Sequence, residues 1–419
     1  MSLFKGESLQ MFRNKDFRLF ICARFFLTLA IQMQFSTIYL QVYYEYTREE
    51  FMLGMIGLSE AVPFILVSLF SGHYADHHRK RNIILIGTIL LMSGALFLLL
   101  NASSQIMLLR SLGLSALFFV VFVFGIIRSF LAASSNPFLS QLIPRKEYAH
   151  AATWNSTAWH LACILGPVIA GLVYGYRGHY NAAPCHFLEL LSFLLAFVFL
   201  LQIRNKGLPQ KHEHEENIFQ SMRVGLRFVY RSKMLLSAIS LDLFAVLFGG
   251  AVALIPAFTD KILGLGPEAY GLLRTAPAIG AVLMALILVF YPPGHRAGKA
   301  LLWSVTAFGL FTILFALSTN YWLAFLMLFC TGAFDNVSVV VRHSILQLMT
   351  PDHMRGRVSA INSIFIGSSN EIGAFESGVA ARLMGLVPSI VFGGAMTIMV
   401  VLGVHKLNPD LKKLDISKL

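Results

Sequence analysis

About twelve stretches of roughly 20 mainly apolar residues run through this chain, the length a helix needs to cross a bilayer, and they leave room for few other folds. They fall at 17–43, 51–74, 82–102, 113–142, 147–174, 183–203, 233–258, 268–291, 299–318, 321–348, 355–386 and 387–406. In hydrocarbon every backbone N–H and C=O must find its partner inside the protein, and apolar runs this long do so as helices. Several exceed the minimum, as tilted helices do. A mean hydropathy of +0.70 and 13% charged residues against 57% hydrophobic ones exclude an ordinary soluble domain. The formal net charge of +12 would suit a nucleic-acid ligand if it were clustered. With a cytoplasmic N-terminus, however, about 24 of the 33 Lys and Arg fall on the cytoplasmic side and about 5 outside, the positive-inside bias. The charge therefore reports topology, both termini are expected to be cytoplasmic, and no nucleic-acid partner is expected. The polar opening "MSLFKGESLQMFRNKDFR" lacks the apolar core and small-residue cleavage site of a removable signal.

The chain is also written twice. "FGIIRS" (124–129) returns as "TGAFDN" (331–336), setting Arg128 opposite Asp335. "GLSEAVP" (57–63) returns as "GLLRTAP" (271–277), setting Glu60 opposite Arg274, and "ICARFF" (21–26) returns more loosely as "ISLDLF" (239–244), setting Arg24 opposite Asp242. "QLIPRKEYAHAATWN" returns as "QLMTPDHMRGRVSAIN", and Gly166 and Gly171 return as Gly373 and Gly378. Each of the three charges changes sign between the copies. Charge in hydrocarbon is costly and usually marks a path, a gate or a binding site. The expected organisation is an N-terminal six-helix bundle over 1–203, a cytoplasmic linker over 204–232, and a C-terminal six-helix bundle over 233–419. The linker contains "KHEHEEN", whose His212 and His214 read as a solvated stretch rather than a metal site. At its end, 218–234 spaces Phe219, Met222, Leu226 and Val229 at helical intervals between basic residues, the pattern of an amphipathic helix on the inner leaflet.

Short motifs sharpen the reading. "GHYADHHRKR" (72–81), between the second and third spans, resembles the signature loop of the major facilitator superfamily through Gly72, Asp76, Lys80 and Arg81, with His77 and Arg79 at positions where Arg and Gly are usual. Gly72 would let two helices approach closely, and Asp76 would accept hydrogen bonds from a helix N-terminus, expected to be that of the eleventh span near Arg355 to Arg357. "ILGPVIAG" (164–171) resembles the superfamily's exporter motif through Gly166, Pro167 and Gly171. Its small residues would pack the fifth span against the eighth, and Pro167 would kink it. Arg128 fits a third, looser motif, with Ala132 where Gly is usual. Long stretches at 23–34, 53–76 and 253–281 look like the branch that includes the enterobactin exporter and macrolide-efflux-like proteins. The resemblance implies an all-α integral membrane protein of twelve transmembrane helices in two pseudo-symmetric six-helix bundles. It also implies secondary active export of an amphipathic solute by alternating access, as is known of folds built from repeats.

Other polar residues within spans are weaker signals. His160 could carry a proton or satisfy a carbonyl. Glu371 and Glu376 lie five residues apart and do not share one face. Glu189 reads as structural. Phe25, Phe26, Phe35, Phe244 and Phe248 could wall a cavity or simply pack. Cys22, Cys163, Cys185 and Cys330 show no metal spacing.

The expected function is export across the bacterial inner membrane, coupled to proton entry. The substrate or proton path is expected to use Arg24, Arg128, Asp242, Asp335, His160 and Glu371, and the gates Gly72, Asp76, Lys80, Arg81, Glu60 and Arg274. Gly166, Pro167, Gly171, Gly373 and Gly378 are expected to provide close helix packing. Import or lipid flipping on the same fold, and a transport-dead sensor or assembly partner, are the rival readings. No nucleophile–base spacing or phosphate-binding loop suggests an enzyme. No metal or cofactor is expected beyond a proton gradient, and the chain is expected to act as a monomer in the lipid bilayer on a small-molecule substrate.

Overall fold

The structure is a computed structural model and describes residues 11–103, 107–144, 147–178, 180–204 and 218–415. His212 and His214 lie outside the described residues. Among those described there is no strand. The spans are α1 (Lys15–Thr47), α2 (Glu50–His77), α3 (Lys80–Ala102), α4 (Met107–Leu142), α5 (Tyr148–Tyr174), α6 (Ala183–Gln202), α7 (Lys233–Lys261), α8 (Pro267–Phe290), α9 (Ala297–Ala316), α10 (Tyr321–Met349), α11 (Asp352–Met384) and α12 (Leu386–Leu407).

Among the described residues, eleven of these contain a stretch long and apolar enough to cross a membrane on length and composition alone. The twelfth, α11, is 33 residues long and far more polar, carrying Asn370, Glu371, Glu376 and Arg382. It is readable as a span because several of its polar positions are covered by protein: Ser369 and Ser377 are buried, and Glu371 and Glu376 are half-buried.

Helix ends are set by local chemistry. Asn14 caps α1 by accepting from the Asp16 and Phe17 amides. Its own amide donates to the Leu142 carbonyl at 3.0 Å, tying α1 to the end of α4. Asn320 caps α10 through the Trp322 and Leu323 amides. Gly113, at φ +45°, breaks the first turns of α4 in a conformation that glycine adopts without a Cβ clash.

The chain divides into two compact units, residues 1–46 with 62–214, and residues 47–61 with 215–419. In the first, α1 packs on α5 and α6, and α3 on α4 and α6. In the second, α7 packs on α11 and α12, and α9 on α10 and α12. The four helix pairings are the same once each repeat is numbered from its own start, so the duplication read in the sequence is a duplication of packing.

The glycines show how far this goes. A Cβ at Gly166 would lie 2.6 Å from the Cβ of Gln32 and 3.1 Å from the Met33 nitrogen, so α5 sits directly against α1. Its repeat, Gly373, would place a Cβ 2.8 Å from the carbonyl oxygens of Val246 and Leu247, so α11 sits directly against α7. The offset that sets Arg24 opposite Asp242 sets Gln32 opposite Gly250, and Gly250 is itself in backbone contact with Gly373. The expectation that Gly166 packs α5 against the eighth span is therefore corrected: its close contact is with α1, inside its own unit. Gly72 is corrected as well. A Cβ there would meet nothing within 4 Å, so among the described residues no helix approaches closely at that point.

The linker helix, Ile218–Arg231, packs partly on protein. Its buried positions are Gly225 and Val229, flanked by half-buried Met222 and Phe228, while Leu226 is exposed. A Cβ at Gly225 would lie 2.8 Å from Ile361 Cδ1 and 3.2 Å from Arg357 Cβ. Val229 joins a buried cluster with Leu235 and Val358. The inward face of this helix thus packs on α7 and α11, and the apolar stripe reaches it one residue away from Leu226.

These contacts predict contrasting behaviour for close-packed and open glycines. Gly166→Ala and Gly373→Ala should each lower stability by about 1–3 kcal/mol, the scale of overpacking. Gly72→Ala should change it by less than about 0.5 kcal/mol, as surface changes usually do. Thermal unfolding of the purified variants in one detergent checks the contrast.

Candidate functional site

A buried ion pair lies in the second unit. Asp242 on α7 is 6% exposed and Arg342 on α10 is 2% exposed, and the two form an ion pair. Leu241, Ala245, Val341 and Ile345 surround them in one buried apolar cluster. Two charges can be kept out of water at this cost only when paired. Arg342 was not singled out in the sequence, although it lies seven residues beyond Asp335, about two helical turns, on the same side of α10. An arginine inside an apolar span was the available signal. Asp242 therefore finds its counter-charge inside its own unit.

The other charges of the repeat are less enclosed. Arg128 on α4 is half-buried, with its guanidinium 5.5 Å from the centre of the Phe64 ring, a cation–π contact that offsets part of the cost of the charge. Asp335 on α10 is half-buried and, among the described residues, shows no ion pair. Arg24 on α1 is half-buried, and its Nε has no hydrogen-bond partner among the described residues. Gln34, three turns further along α1, is fully buried, and neither atom of its amide has a partner among the described residues. Buried polar atoms without partners are uncommon and call for an explanation. Along α1 they offer hydrogen bonds that water or a solute could complete. Gln34 was missed because one glutamine in an apolar span carries no pattern.

His160 does not stand out in the same way. Its Nδ1 lies 2.8 Å from the Ser156 carbonyl and 3.3 Å from the Ser156 hydroxyl, so its own helix satisfies it. The aromatic residues divide between packing and lining. Phe25, Phe26 and Phe35 pack on Phe199 and Phe124 or on each other. Phe244 and Phe248 line a groove of about 600 Å³ along α7 and α12.

Of the expected gating residues, Asp76 is half-buried in the last turns of α2. Lys80, the first residue of α3, is fully buried and donates to the Ala75 carbonyl at 3.3 Å, closing the turn between α2 and α3. Arg81 donates to the Leu200 and Leu201 carbonyls at 3.0 and 2.7 Å. It thereby satisfies the open end of α6, where a cation is favoured by the helix dipole. The local geometry of Lys80 and Arg81 is thus turn-closing and capping within one unit.

Residues 47–61 cluster with the second unit and are held there by two kinds of contact. Arg48 pairs with Asp260 at 2.7 Å and Glu50 with Lys261 at 2.6 Å, at the end of α7. Below these pairs, α2 and α11 meet backbone to backbone. A Cβ at Gly54 would lie 2.9 Å from the Gly378 Cα, and one at Gly57 would lie 2.6 Å from the Glu371 carbonyl oxygen. Glu371 thus sits where α11 receives α2. Glu60 is fully buried in this stretch, and Arg274 on α8 is half-buried.

Two six-helix bundles with matching packing, carrying charges inside their spans, define a membrane transporter of the major facilitator class. The chain belongs to the transmembrane secretion effector family of that superfamily, whose profile matches residues 8–418. It is similar to a staphyloferrin A transporter of Staphylococcus aureus, 21% identical over 86% of this chain and 88% of that protein. It is also similar to the enterobactin exporter EntS of Shigella boydii serotype 4, 24% identical over 82% of this chain and 80% of that protein. Among solved structures, it shares its fold with a POT family transporter in complex with 5-aminolevulinic acid, at TM-score 0.73 and 14% identity over 95% of this chain and 96% of that one. A bacterial homologue of the human lysosomal transporter Spinster matches at TM-score 0.70 and 13% identity, over 95% and 98% of the two chains. The protein is a multi-pass membrane protein that transports small molecules.

The buried pair gives a direct test. Asp242→Asn should destabilise the protein by about 3–5 kcal/mol, the usual effect of leaving one buried charge unpaired. The double variant Asp242→Leu with Arg342→Met should recover most of that loss. Folded yield and melting temperature in detergent separate the two outcomes.

Proposed function

We propose that this protein exports an amphipathic small molecule of the siderophore type across the bacterial inner membrane, driven by proton entry. The observation that carries the reading is the pair of half-buried ionisable side chains at equivalent positions of the repeat, Arg128 on α4 and Asp335 on α10. A cation suits an anionic solute, as carboxylate- or catecholate-bearing chelators are, and a carboxylate inside a span suits a proton. The names of the staphyloferrin A and enterobactin relatives support the substrate class, and the family's description supports outward movement. Proton and solute would have to stabilise different states for one gradient to drive the other. The topology that goes with this reading has both termini in the cytoplasm, as the distribution of Lys and Arg indicates.

The test is transport in proteoliposomes with an imposed pH gradient, using iron-free siderophores, lipophilic drugs and lysolipids as candidate solutes. Solute accumulation against proton flow, with a solute-dependent change of internal pH, is the expected result. Movement of solute with the proton would reverse the direction proposed, and binding without any movement would make the protein a sensor.

Within that assay Arg128→Ala should lower transport of anionic solutes by at least tenfold and spare neutral ones. Asp335→Asn should abolish accumulation against a gradient while leaving downhill exchange of solute measurable. Wild-type accumulation in both variants would remove both roles.

A further inference from the structure

At the end of α1 opposite its N-terminus, the winding changes from α over Lys15–Gln41 to π over Val42–Thr47. Short π-helical turns recur at functional sites. Here the change sets Gln41, which is 1% exposed, above Glu45, which is exposed. Facing them are Tyr174 from the end of α5 and His186 and Glu189 from α6, all fully buried. None of these five side chains was placed in the substrate path or the gates above.

They form one chain of hydrogen bonds. Tyr174 donates its hydroxyl to Glu45 Oε1 at 3.0 Å. Gln41 Nε2 donates to Glu45 Oε2 at 3.0 Å. Gln41 Oε1 lies 3.3 Å from His186 Nε2, and His186 Nδ1 lies 2.9 Å from Glu189 Oε2. Tyr174 brings its own hydrogen. The remaining three contacts, Glu45 to Gln41, Gln41 to His186 and His186 to Glu189, need three hydrogens. Gln41 turns its nitrogen to one neighbour and its oxygen to the other, so it supplies one. A neutral imidazole supplies one more. The third must come from an added proton.

This count does not depend on how the amide is oriented. Turning Gln41 over lets it donate to His186 Nε2 and lets His186 Nδ1 donate to Glu189, but it then sets the Gln41 oxygen against a Glu45 oxygen, where the missing hydrogen is needed instead. Glu189 carries a second sign of the same need. Its Oε1 is buried with no hydrogen-bond partner among the described residues, a poor setting for a full negative charge. The other titratable groups against the cluster are Cys185 on α6, whose thiol reaches the Ala170 carbonyl at 3.6 Å, and Tyr44 and Tyr180, whose rings pack on Tyr174. Among the described residues, no Lys or Arg pairs with Glu45 or Glu189; Glu45 is exposed to water, and the His186 imidazole is the group paired with Glu189.

We propose that α1, α5 and α6 form a proton-binding site, in which His186 and Glu189 hold one proton beyond those of a neutral imidazole and ionised carboxylates, with Glu45 as its opening to water. Water supplies and recovers the proton, and no other bond is made or broken. The use of this site in transport rests on the proton coupling proposed above; its existence does not, so the test omits solute and gradient.

The test uses the full chain in lipid nanodiscs. Cys185–His186 is the only Cys–His step in the sequence, so carbonyl-labelled cysteine with carbon- and nitrogen-labelled histidine identifies the His186 amide, and transfer through the histidine carbons assigns its ring without any substitution. Nitrogen NMR then reports whether His186 carries one proton or two, and infrared spectroscopy reports protonated carboxyl groups, over about pH 5 to 8, where histidine chemistry operates. The expected result is one extra proton per chain in this cluster in part of that range. It would show as a doubly protonated His186, or as a carboxyl band that disappears in Glu189→Gln or Glu45→Gln. A singly protonated His186 at every pH, with no carboxyl band or with one that both variants leave unchanged, overturns the site. Should Glu189→Gln fail to fold, Glu189→Asp, which shifts the band without removing the acid, takes its place with the same two outcomes.

Discussion

Hydrocarbon offers no hydrogen bonds, and most of this architecture follows from that. Each backbone amide must be satisfied within its own helix, so helices are the only elements seen among the described residues. Apolar side chains gain little by leaving lipid for protein, so adhesion between helices depends on close contact. The chain meets that demand with glycine at the points where backbones touch: Gly166 against α1, Gly373 against α7, and Gly54 against Gly378. The first two are the same contact made twice. A duplicated unit keeps such contacts because each is set by one missing side chain, which tolerates wide change around it.

Polar side chains obey the same constraint at higher stakes. Asp242 is buried because Arg342 is there to neutralise it. Arg81 is anchored on the last carbonyls of α6, and Lys80 on the carbonyl of Ala75. Against this background of satisfied groups, the few that fall short become informative. Arg24 Nε, the amide of Gln34 and Glu189 Oε1 lack partners among the described residues. A folded protein bears such a deficit where water, a solute or a proton completes it. Gln34 and Arg24 share α1, and Glu189 ends the hydrogen-bond chain that begins at Glu45, also on α1. That helix therefore carries both the candidate solute contacts and one side of the candidate proton site.

Residues 47–61 show how weak contacts can be useful ones. Two partly exposed ion pairs, each worth about 0–1 kcal/mol, and a glycine-on-glycine approach hold them to α7 and α11. They place the start of α2 with the second unit, while the rest of α2 belongs to the first.

The sequence by itself determined the membrane class, the twelve spans, the duplication and the superfamily, because each is written as length, apolarity or repetition along the chain. α11 was read as one of the apolar stretches, although it is more polar than the other eleven. Tertiary structure decided which surfaces meet and which charges pair. Gly166 and Pro167 identify a close-packing helix but not its neighbour, since a missing side chain is equally useful against any helix; only the fold shows that the neighbour is α1. Gly72 matched a motif letter for letter, yet a Cβ there would meet nothing within 4 Å among the described residues. Leu226 and Val229 share the apolar spacing of the linker helix, yet Val229 is buried on protein and Leu226 is exposed, because what a helix packs on fixes which positions are covered. Arg342 and the contact of His186 with Gln41 stayed hidden for a related reason. Asp242 lies 100 residues from Arg342, and Gln41 lies 145 from His186. Local spacing carries no trace of pairings made across that distance, and in a solvent that forbids unpaired charge those pairings decide the chemistry.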